Sequence, residues 1–123
     1  MGKLAVCILI IDKQKYNFLA VSLKEDHSDF NLPGGIVKKD ESTLEAALRE
    51  TKEETGIDIF NLIYLYENYD NDVNVITFYT YDFHGIINTI EDHKVKWLPI
   101  YELTNSKKWN KYNSEVYNKY LKL

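Results

Sequence analysis

The chain of 123 residues has few of the residues that cross-link a fold or interrupt its helices and strands: one cysteine, two prolines and five glycines. The single Cys7 excludes an internal disulfide, and we expect it to be a small buried residue. The first apolar run, residues 4–11, is too short to span a bilayer and lacks the form of a signal peptide. These absences predict a cytoplasmic protein without a membrane segment.

Positive charge is also scarce, since the formal net charge is −4. A protein that binds duplex nucleic acid is more often basic, so we expect no such partner. Hydrophobic residues make up 45% and charged residues 28%, as in ordinary globular proteins. With no internal repeat and no linker, the sequence predicts a single domain over residues 1–123, either a monomer or a homodimer.

Apolar and β-branched runs predict strands rather than long helices. The expected strands are residues 4–11, 16–23, 30–32, 61–67, 73–83 and 94–98. The sequence Pro33-Gly34-Gly35 should break regular structure, and a short turn is expected at 101–103. A helix should begin at Ser42 or Thr43 and end before Gly56, and a second helix should span 106–121. Many strands with two sizeable helices predict an α/β fold with a mixed sheet between helices.

Three carboxylates lie close together on the first predicted helix, which carries the candidate site between residues 44 and 55. Glu50, Glu53 and Glu54 are spaced i, i+3 and i+4, so they share one face and repel one another by a few tenths of a kcal/mol per pair. A cation would relieve that repulsion, and oxygen-only clusters suit Mg²⁺ or Mn²⁺. Arg49 lies beside Glu53 and could orient it by a charge-assisted hydrogen bond.

The alternative is an acidic helix face that is merely solvated and neutralised by neighbouring lysines. Three lysines are close enough in sequence to do this: Lys38, Lys39 and Lys52. The carboxylates alone leave both interpretations open. A second face next to the carboxylates should be the buried one, and it is mostly apolar, with Leu44, Ala47, Leu48, Thr51 and Thr55.

The wider pattern resembles the Nudix box, G-x5-E-x7-R-E-U-x-E-E-x-G-U, where U is a bulky apolar residue. Eight positions are in register: Gly35, Glu41, Arg49, Glu50, Glu53, Glu54, Gly56 and Ile57. Thr51 departs from the pattern because it is polar where bulk is expected, although its methyl group can still pack. Asp40 departs more mildly, since related sequences usually carry glycine before that glutamate.

The resemblance extends to both sides of the box. Residues 30–35 look like the family's aromatic-x-Leu-Pro-Gly-Gly lead-in, and residues 91–103 look like its usual W-x-P-x-x-E-L close. Membership would imply the Nudix fold, an α/β/α sandwich with a mixed sheet between helices. It would also imply a hydrolase that cleaves a diphosphate bond with the help of Mg²⁺ or Mn²⁺.

The resemblance also implies roles for individual residues. Glu50, Glu53 and Glu54 would be metal ligands, joined by the carbonyl of Gly34. Gly34 and Gly35 would let the backbone approach the ion closely, because neither has a side chain. The structural positions of the box would be Gly35, Glu41 and Gly56, with Arg49 and Glu41 holding the loop and helix in place.

Two further residues are candidates outside the box. Glu91 stands where MutT-like relatives carry an additional loop glutamate, so it is the candidate general base, with Glu53 as the next choice. Lys24 follows the second predicted strand, where relatives often keep a basic contact to phosphate. Asp92 and His93 are neighbouring rivals of Glu91 for that role. For both Glu91 and Lys24 the other alternative is an ordinary solvated loop side chain.

The predicted function is therefore hydrolysis of a diphosphate linkage in a nucleoside di- or triphosphate or a nucleotide derivative, by attack of water on phosphorus. The expected partner is a small nucleotide. The alternative is a non-catalytic Nudix module that binds a nucleotide, and a third possibility is a structural domain with no ligand. The box predicts the chemistry of the diphosphate but not the group attached to it.

Overall fold

The computed structural model describes residues 2–70, 72–88 and 92–123. Within these ranges the chain forms nine strands, two α-helices and one 3₁₀ helix. The strands are β1 (Lys3–Asp12), β2 (Asn17–Ser22), β3 (Phe30–Asn31), β4 (Gly34–Ile36), β5 (Asp58–Phe60), β6 (Ile63–Asp70), β7 (Val73–Thr80), β8 (Asp82–His84) and β9 (Val95–Pro99). The helices are α1 (Thr43–Thr55), the 3₁₀ helix (Ile100–Asn105) and α2 (Asn110–Leu121).

Strand β1 is buried on both faces, which explains why its sequence is apolar without alternation. Its even-numbered residues from Val6 to Ile10 belong to one core cluster, together with Ala47 of α1. Leu9, on the opposite face, belongs to a second cluster with Val116 of α2. Because side chains alternate along a strand, β1 stabilises the packing of both helices.

One sheet of seven strands lies between α1 and α2. Strands β3, β2, β1, β7 and β6 lie side by side in that order, while β4 also pairs with β1 and β9 also pairs with β2. The β1–β7 pair is parallel, and the other pairs in this sheet are antiparallel. The predicted α/β fold with a mixed sheet between helices is therefore confirmed. Strands β5 and β8 form a separate antiparallel pair.

The prediction that Pro33-Gly34-Gly35 breaks regular structure is wrong for the two glycines. Strand β4 begins at Gly34 and pairs antiparallel with β1, with Gly34 opposite Cys7. A Cβ at Gly34 would lie only 2.1 Å from the carbonyl oxygen of Val6. The glycine thus permits a close strand pairing that a residue with a side chain would prevent.

The second helix begins later than predicted, at Asn110 rather than at residue 106. The reason is a tertiary contact: the carboxylate of Asp29 accepts the N–H groups of Lys107 and Lys108 at 2.9 and 3.0 Å. These bonds hold the chain before α2 as a loop. Within the part of the chain that the structure describes, neither helix is long and apolar enough to cross a membrane.

Candidate active site

Both ends of α1 are fixed by local contacts, as the sequence predicts. Ser42 is the N-cap: its Oγ accepts the Glu45 N–H at 3.0 Å, and the Glu45 carboxylate accepts the Ser42 N–H at 2.9 Å. Gly56 ends the helix with a left-handed φ of 80°. Asp40, before the helix, is also left-handed with a φ of 65°. This conformation explains why related sequences carry glycine there, since glycine adopts it without strain.

The buried face of α1 differs from the predicted one. Leu44 and Leu48 were expected inside, but they are 49% and 45% exposed. The small residues of the predicted face, Ala47, Thr51 and Thr55, are buried against the sheet as expected, and Ala46 is buried beside them. Small side chains let the helix backbone lie close to β1, which leaves the longer leucines at the side of the contact.

Arg49, the only arginine of the chain, connects three carboxylates. Its Nε and Nη2 donate to the two oxygens of Glu41 at 2.7 and 2.9 Å. Its Nη1 donates to Glu50 and to Glu53, each at 2.8 Å. Nη2 also donates to the carbonyl of Ile36 at 3.3 Å. The planar guanidinium therefore fixes the helix, the loop before it and β4 relative to one another.

The electrostatics of this cluster favour ionised partners. Hydrogen bonds from Arg49 and from the backbone N–H of Lys38 lower the pKa of Glu41 from 4.5 to about 2. Conversely, Glu41 and Glu53 raise the pKa of Arg49 above its ordinary value. Glu41 and Glu50 are mostly covered, whereas the Glu53 side chain is 39% exposed. Glu53 is thus the carboxylate of this cluster that is most open to a ligand.

The two glycines of β4 lie directly against the box carboxylates Glu54 and Glu50. The Gly34 N–H donates to Glu54 Oε1 at 2.8 Å. A Cβ on Gly35 would lie 2.5 Å from the carboxylate carbon of Glu50. Gly34 is therefore required for the close approach to the backbone of Val6, whereas a side chain at Gly35 would displace the carboxylate end of Glu50.

Within residues 2–70, 72–88 and 92–123, no three histidine, cysteine or carboxylate side chains are grouped as a ready-made metal site. The donor chemistry nevertheless fits a hard divalent cation, because Glu50 and Glu53 each place an Oε1 atom against the same Nη1 of Arg49. Carboxylate oxygens are the ligands that Mg²⁺ and Mn²⁺ prefer. The residues fit such an ion if the partly exposed Glu53 turns away from Arg49.

The last turn of α1 is bound by the segment that follows β8. The Asn88 N–H donates to the Thr55 carbonyl at 2.8 Å. His93, which is 7% exposed, lies 3.0 Å from the Glu54 carbonyl and donates to it through Nε2. These contacts satisfy carbonyls that a helix end leaves unpaired. Glu91, the predicted general base, lies outside the described residues.

The structure thus brings most of the predicted site residues together around α1. Glu41, Arg49, Glu50 and Glu53 form one network, and Gly34 and Gly35 contact Glu54 and Glu50. Lys24 is exposed on the loop between β2 and β3. Its contact to phosphate remains a prediction.

A cavity of about 250 Å³ lies next to the two glycines of β4. Its lining includes side chains of β1 and β7, Tyr112 and Asn113 of α2, and Trp109 directly before α2. Cys7 also lines it, where burial raises the pKa of the thiol to about 12. The Cys7 Sγ contacts Thr77 Oγ1 at 2.9 Å, and Thr77 Oγ1 contacts the Tyr112 hydroxyl at 2.6 Å. The prediction of a small buried cysteine is confirmed only in part, because Cys7 is partly buried and lines the cavity.

One wall of the cavity is polar, and sequence reasoning missed it. Asn31 Nδ2 lies 3.3 Å from the Asp29 carboxylate, and its Oδ1 accepts from Asn113 Nδ2 at 3.0 Å and from Ser106 Oγ at 2.6 Å. All four residues are buried. No pattern in the sequence distinguishes Asn113 from the other polar residues of α2, because its partner is 82 positions away.

Comparison with known proteins gives a match over almost the whole chain. A family model described as the NUDIX domain matches residues 1–120. A search of curated protein sequences finds no significant match.

Solved structures similar to this chain share its fold at low sequence identity. A MutT structure from work on Aliivibrio salmonicida and Vibrio cholerae is 19% identical, with a TM-score of 0.79 over 95% of this chain and 98% of that one. MutT NUDIX hydrolase from Burkholderia pseudomallei is 17% identical, with a TM-score of 0.79 over 97% and 98%. A structure described as an ADP compounds hydrolase is 18% identical, with a TM-score of 0.74 over 99% and 72%.

Proposed function

This chain belongs to the NUDIX domain family, and we propose that it is a hydrolase of phosphoanhydride bonds that cleaves a diphosphate linkage in a nucleotide. The observation that carries the proposal is the Arg49 cluster, in which Glu41, Glu50 and Glu53 surround one guanidinium. Glu54 completes the carboxylate set through its hydrogen bond with the Gly34 N–H. A module that only binds a nucleotide would not need four glutamates held in this arrangement, which argues against that alternative.

We propose that the ion is Mg²⁺ or Mn²⁺, held by Glu50, Glu53, Glu54 and the carbonyl of Gly34. Such an ion, when bound, polarises phosphoryl oxygens and lowers the pKa of coordinated water. Arg49 would keep Glu50 in position for it, while the more exposed Glu53 would turn from Arg49 toward the ion. Glu41 would keep Arg49 in place, since both oxygens of Glu41 accept from the guanidinium.

The nucleoside of the substrate fits the cavity beside β4. Trp109 and Tyr112 offer aromatic surface on which a base can stack. The Asp29 carboxylate can only accept, so Asn31 turns its NH₂ group toward Asp29 and its Oδ1 toward Asn113. Asn113 must then turn its own NH₂ group toward Asn31, which leaves its Oδ1 as an acceptor for a donor group on the base.

A panel of nucleotides tests the proposal. We expect release of phosphate or pyrophosphate, or of a nucleoside monophosphate, that depends on Mg²⁺ or Mn²⁺. Glu53→Gln should lower kcat on the order of 10²-fold or more, because it removes a charge at the proposed ion site. Asp58→Asn removes an exposed carboxylate just beyond the same helix and should leave turnover near that of the parent. Activity without a divalent ion, or near-parental turnover of Glu53→Gln, would contradict the proposal.

Thermal unfolding gives a second readout that does not require turnover. A divalent ion that binds only the folded carboxylate cluster should raise the melting temperature. The double variant Glu50→Gln/Glu53→Gln should lose most of that rise. If it responded to Mg²⁺ like the parent, the ion would bind elsewhere.

We propose Glu91 as the general base that takes a proton from the attacking water. Glu91→Gln should then lower kcat by roughly 10²- to 10⁴-fold with a smaller change in KM. A decrease of less than about tenfold would move the role to Glu53. A cytoplasmic location, one domain over residues 1–123 and a monomeric or homodimeric state remain predictions of the sequence.

A further inference from the structure

We propose that an open groove beside His93, next to the end of the carboxylate helix, holds the part of the substrate beyond the cleaved diphosphate and favours substrates in which that part carries further phosphate. This inference rests on the proposed hydrolase function and identifies the class of its substrate. The groove has a volume of about 930 Å³. It lies between the β2–β3 loop, β9 and the 3₁₀ helix, and its lining includes Phe30, His93, Lys94 and Lys96.

The groove and the nucleoside cavity are linked through Glu54. The Glu54 carboxylate binds the N–H of Gly34, which lines the cavity. The Glu54 carbonyl binds His93, which lines the groove. The groove also continues toward Glu53, because a shallow depression that contains Glu53 shares Ile87 and Asn88 with it. A diphosphate bound at the carboxylates can therefore extend a nucleoside into the cavity and its other half into the groove.

The charges of the groove favour an anion. Among the described residues, neither Lys94 nor Lys96 has a carboxylate within ion-pair distance. Lys96 lies over the ring of Phe30, with its Nζ 4.4 Å from the centroid, which holds the amine at the groove. Glu102 is the carboxylate of the lining, and it accepts from Asn105 at 2.7 Å.

Two lysines without an ion-pair partner among the described residues are unexpected in a chain with a net charge of −4, beside a helix rich in glutamate. A phosphate group that extends beyond the proposed ion site, where no cation neutralises it, would be repelled by the glutamates of α1. Lys94 and Lys96 supply cations where that group would lie, and charge-assisted hydrogen bonds to phosphate are among the stronger polar contacts. A neutral sugar in the same place would gain little from them. The geometry therefore favours a nucleoside triphosphate or a dinucleoside polyphosphate over a nucleotide sugar.

The kinetic test compares a nucleoside triphosphate with a nucleoside diphosphate sugar of the same base. Lys94→Gln/Lys96→Gln should raise KM for the triphosphate by about tenfold while kcat changes by less than about threefold. KM for the sugar nucleotide should not change. Lys96→Arg, which keeps the positive charge, should retain most of the affinity for the triphosphate. Lys119→Gln, which removes an exposed lysine from α2, should leave KM for both substrates unchanged. Equal changes of KM for both substrates, or no change for the triphosphate, would overturn the inference.

A binding measurement separates this inference from the proposed function. Calorimetry on Glu53→Gln would compare α,β-methylene triphosphates and diphosphates of the four common bases. We expect the best-bound triphosphate analogue to bind about tenfold more tightly than its diphosphate, and the added double lysine substitution should abolish this difference. If the difference is seen but the parent hydrolyses no nucleotide, only the hydrolase proposal fails. If the parent hydrolyses nucleotides and no difference is seen, only this inference fails.

Discussion

The two α-helices of this protein have similar lengths and pack on opposite faces of one sheet, but they are specified in different ways. Helix α1 has a capping box at its start and a left-handed glycine at its end. Helix α2 begins after Trp109 without a side-chain cap. The first helix presents charged groups arranged by residues close in sequence, whereas the second contributes Tyr112 and Asn113 to a cavity whose other walls are distant in sequence. Local signals thus specify the proposed chemistry, and long-range contacts specify the shape around it.

Among changes that separate the roles of the two helices, the largest effect should come from altering the hydrogen-bond geometry around α1 while keeping its charge. Arg49→Lys retains a cation but cannot donate in a fork to Glu41 and also reach Glu50 and Glu53. We expect kcat to fall on the order of 10- to 10²-fold, with a lower melting temperature. The reverse exchange on α2, Lys119→Arg, should change neither quantity. Parental activity of Arg49→Lys would mean that positive charge alone is sufficient at this helix.

A change in α2 should act mainly on stability, because its buried asparagine serves the cavity wall. Asn113→Asp places two acceptors opposite each other, since Asn31 already presents its Oδ1 to this position. Loss of that buried bond should lower the free energy of unfolding by about 1–3 kcal/mol. The same substitution at the exposed Asn118 is the matched control. A stable Asn113→Asp protein would show that the polar wall can rearrange.

The pH dependence of stability should separate the charge network of α1 from the uncharged packing of α2. The folded-state pKa of Glu41 is lowered from 4.5 to about 2, so its ionised form stabilises the native state above about pH 4.5. That contribution is lost as the pH falls toward 2. The melting temperature of Glu41→Gln should therefore be lower than that of the parent at pH 7, and the gap should narrow below pH 4.5. A gap independent of pH would mean that Glu41 acts through packing alone.

The smallest effect concerns two buried threonines on the inner face of α1. Thr51 Oγ1 is buried without a hydrogen-bond partner in the described part of the chain. Thr55 Oγ1 donates to the Thr51 carbonyl at 2.7 Å and accepts the Ile57 N–H at 3.1 Å. Thr51→Val should raise the free energy of unfolding by about 1 kcal/mol, whereas Thr55→Val should lower it by a similar amount. Chemical denaturation of both variants tests this, and equal changes would contradict it.

Thr51, where the sequence departs from the box, also shows which burial positions of α1 the sequence pattern predicts correctly. The box predicts a bulky apolar residue there, and the expectation that a threonine methyl could pack agrees with its complete burial. The same pattern predicts that Leu44 and Leu48 are buried, but both are exposed in the structure. Helical periodicity identifies an apolar side of α1, but the distance between helix and sheet decides which side chains fit beneath it. That distance is set by β1 and β4, which periodicity in α1 does not describe.

The sequence by itself determined the elements whose causes lie within a few residues. The capping box fixes the start of α1, Gly56 fixes its end, and the i, i+3 and i+4 spacing places three glutamates on one face. The uninterrupted apolar run of β1 determined a central strand buried on both sides. These features need no distant partner, because hydrogen bonds and side-chain directions within one helix or strand define them.

Only the tertiary structure decided the surroundings of that helix. It placed Gly34 against Glu54, joined Asn31 to Asn113, and brought His93 to the end of α1 beside a groove lined by Lys96. Each of these contacts joins segments that are separated by 20 to 82 positions. A local sequence pattern does not predict these contacts, because they depend on how the strands pair and on how closely the helices approach the sheet.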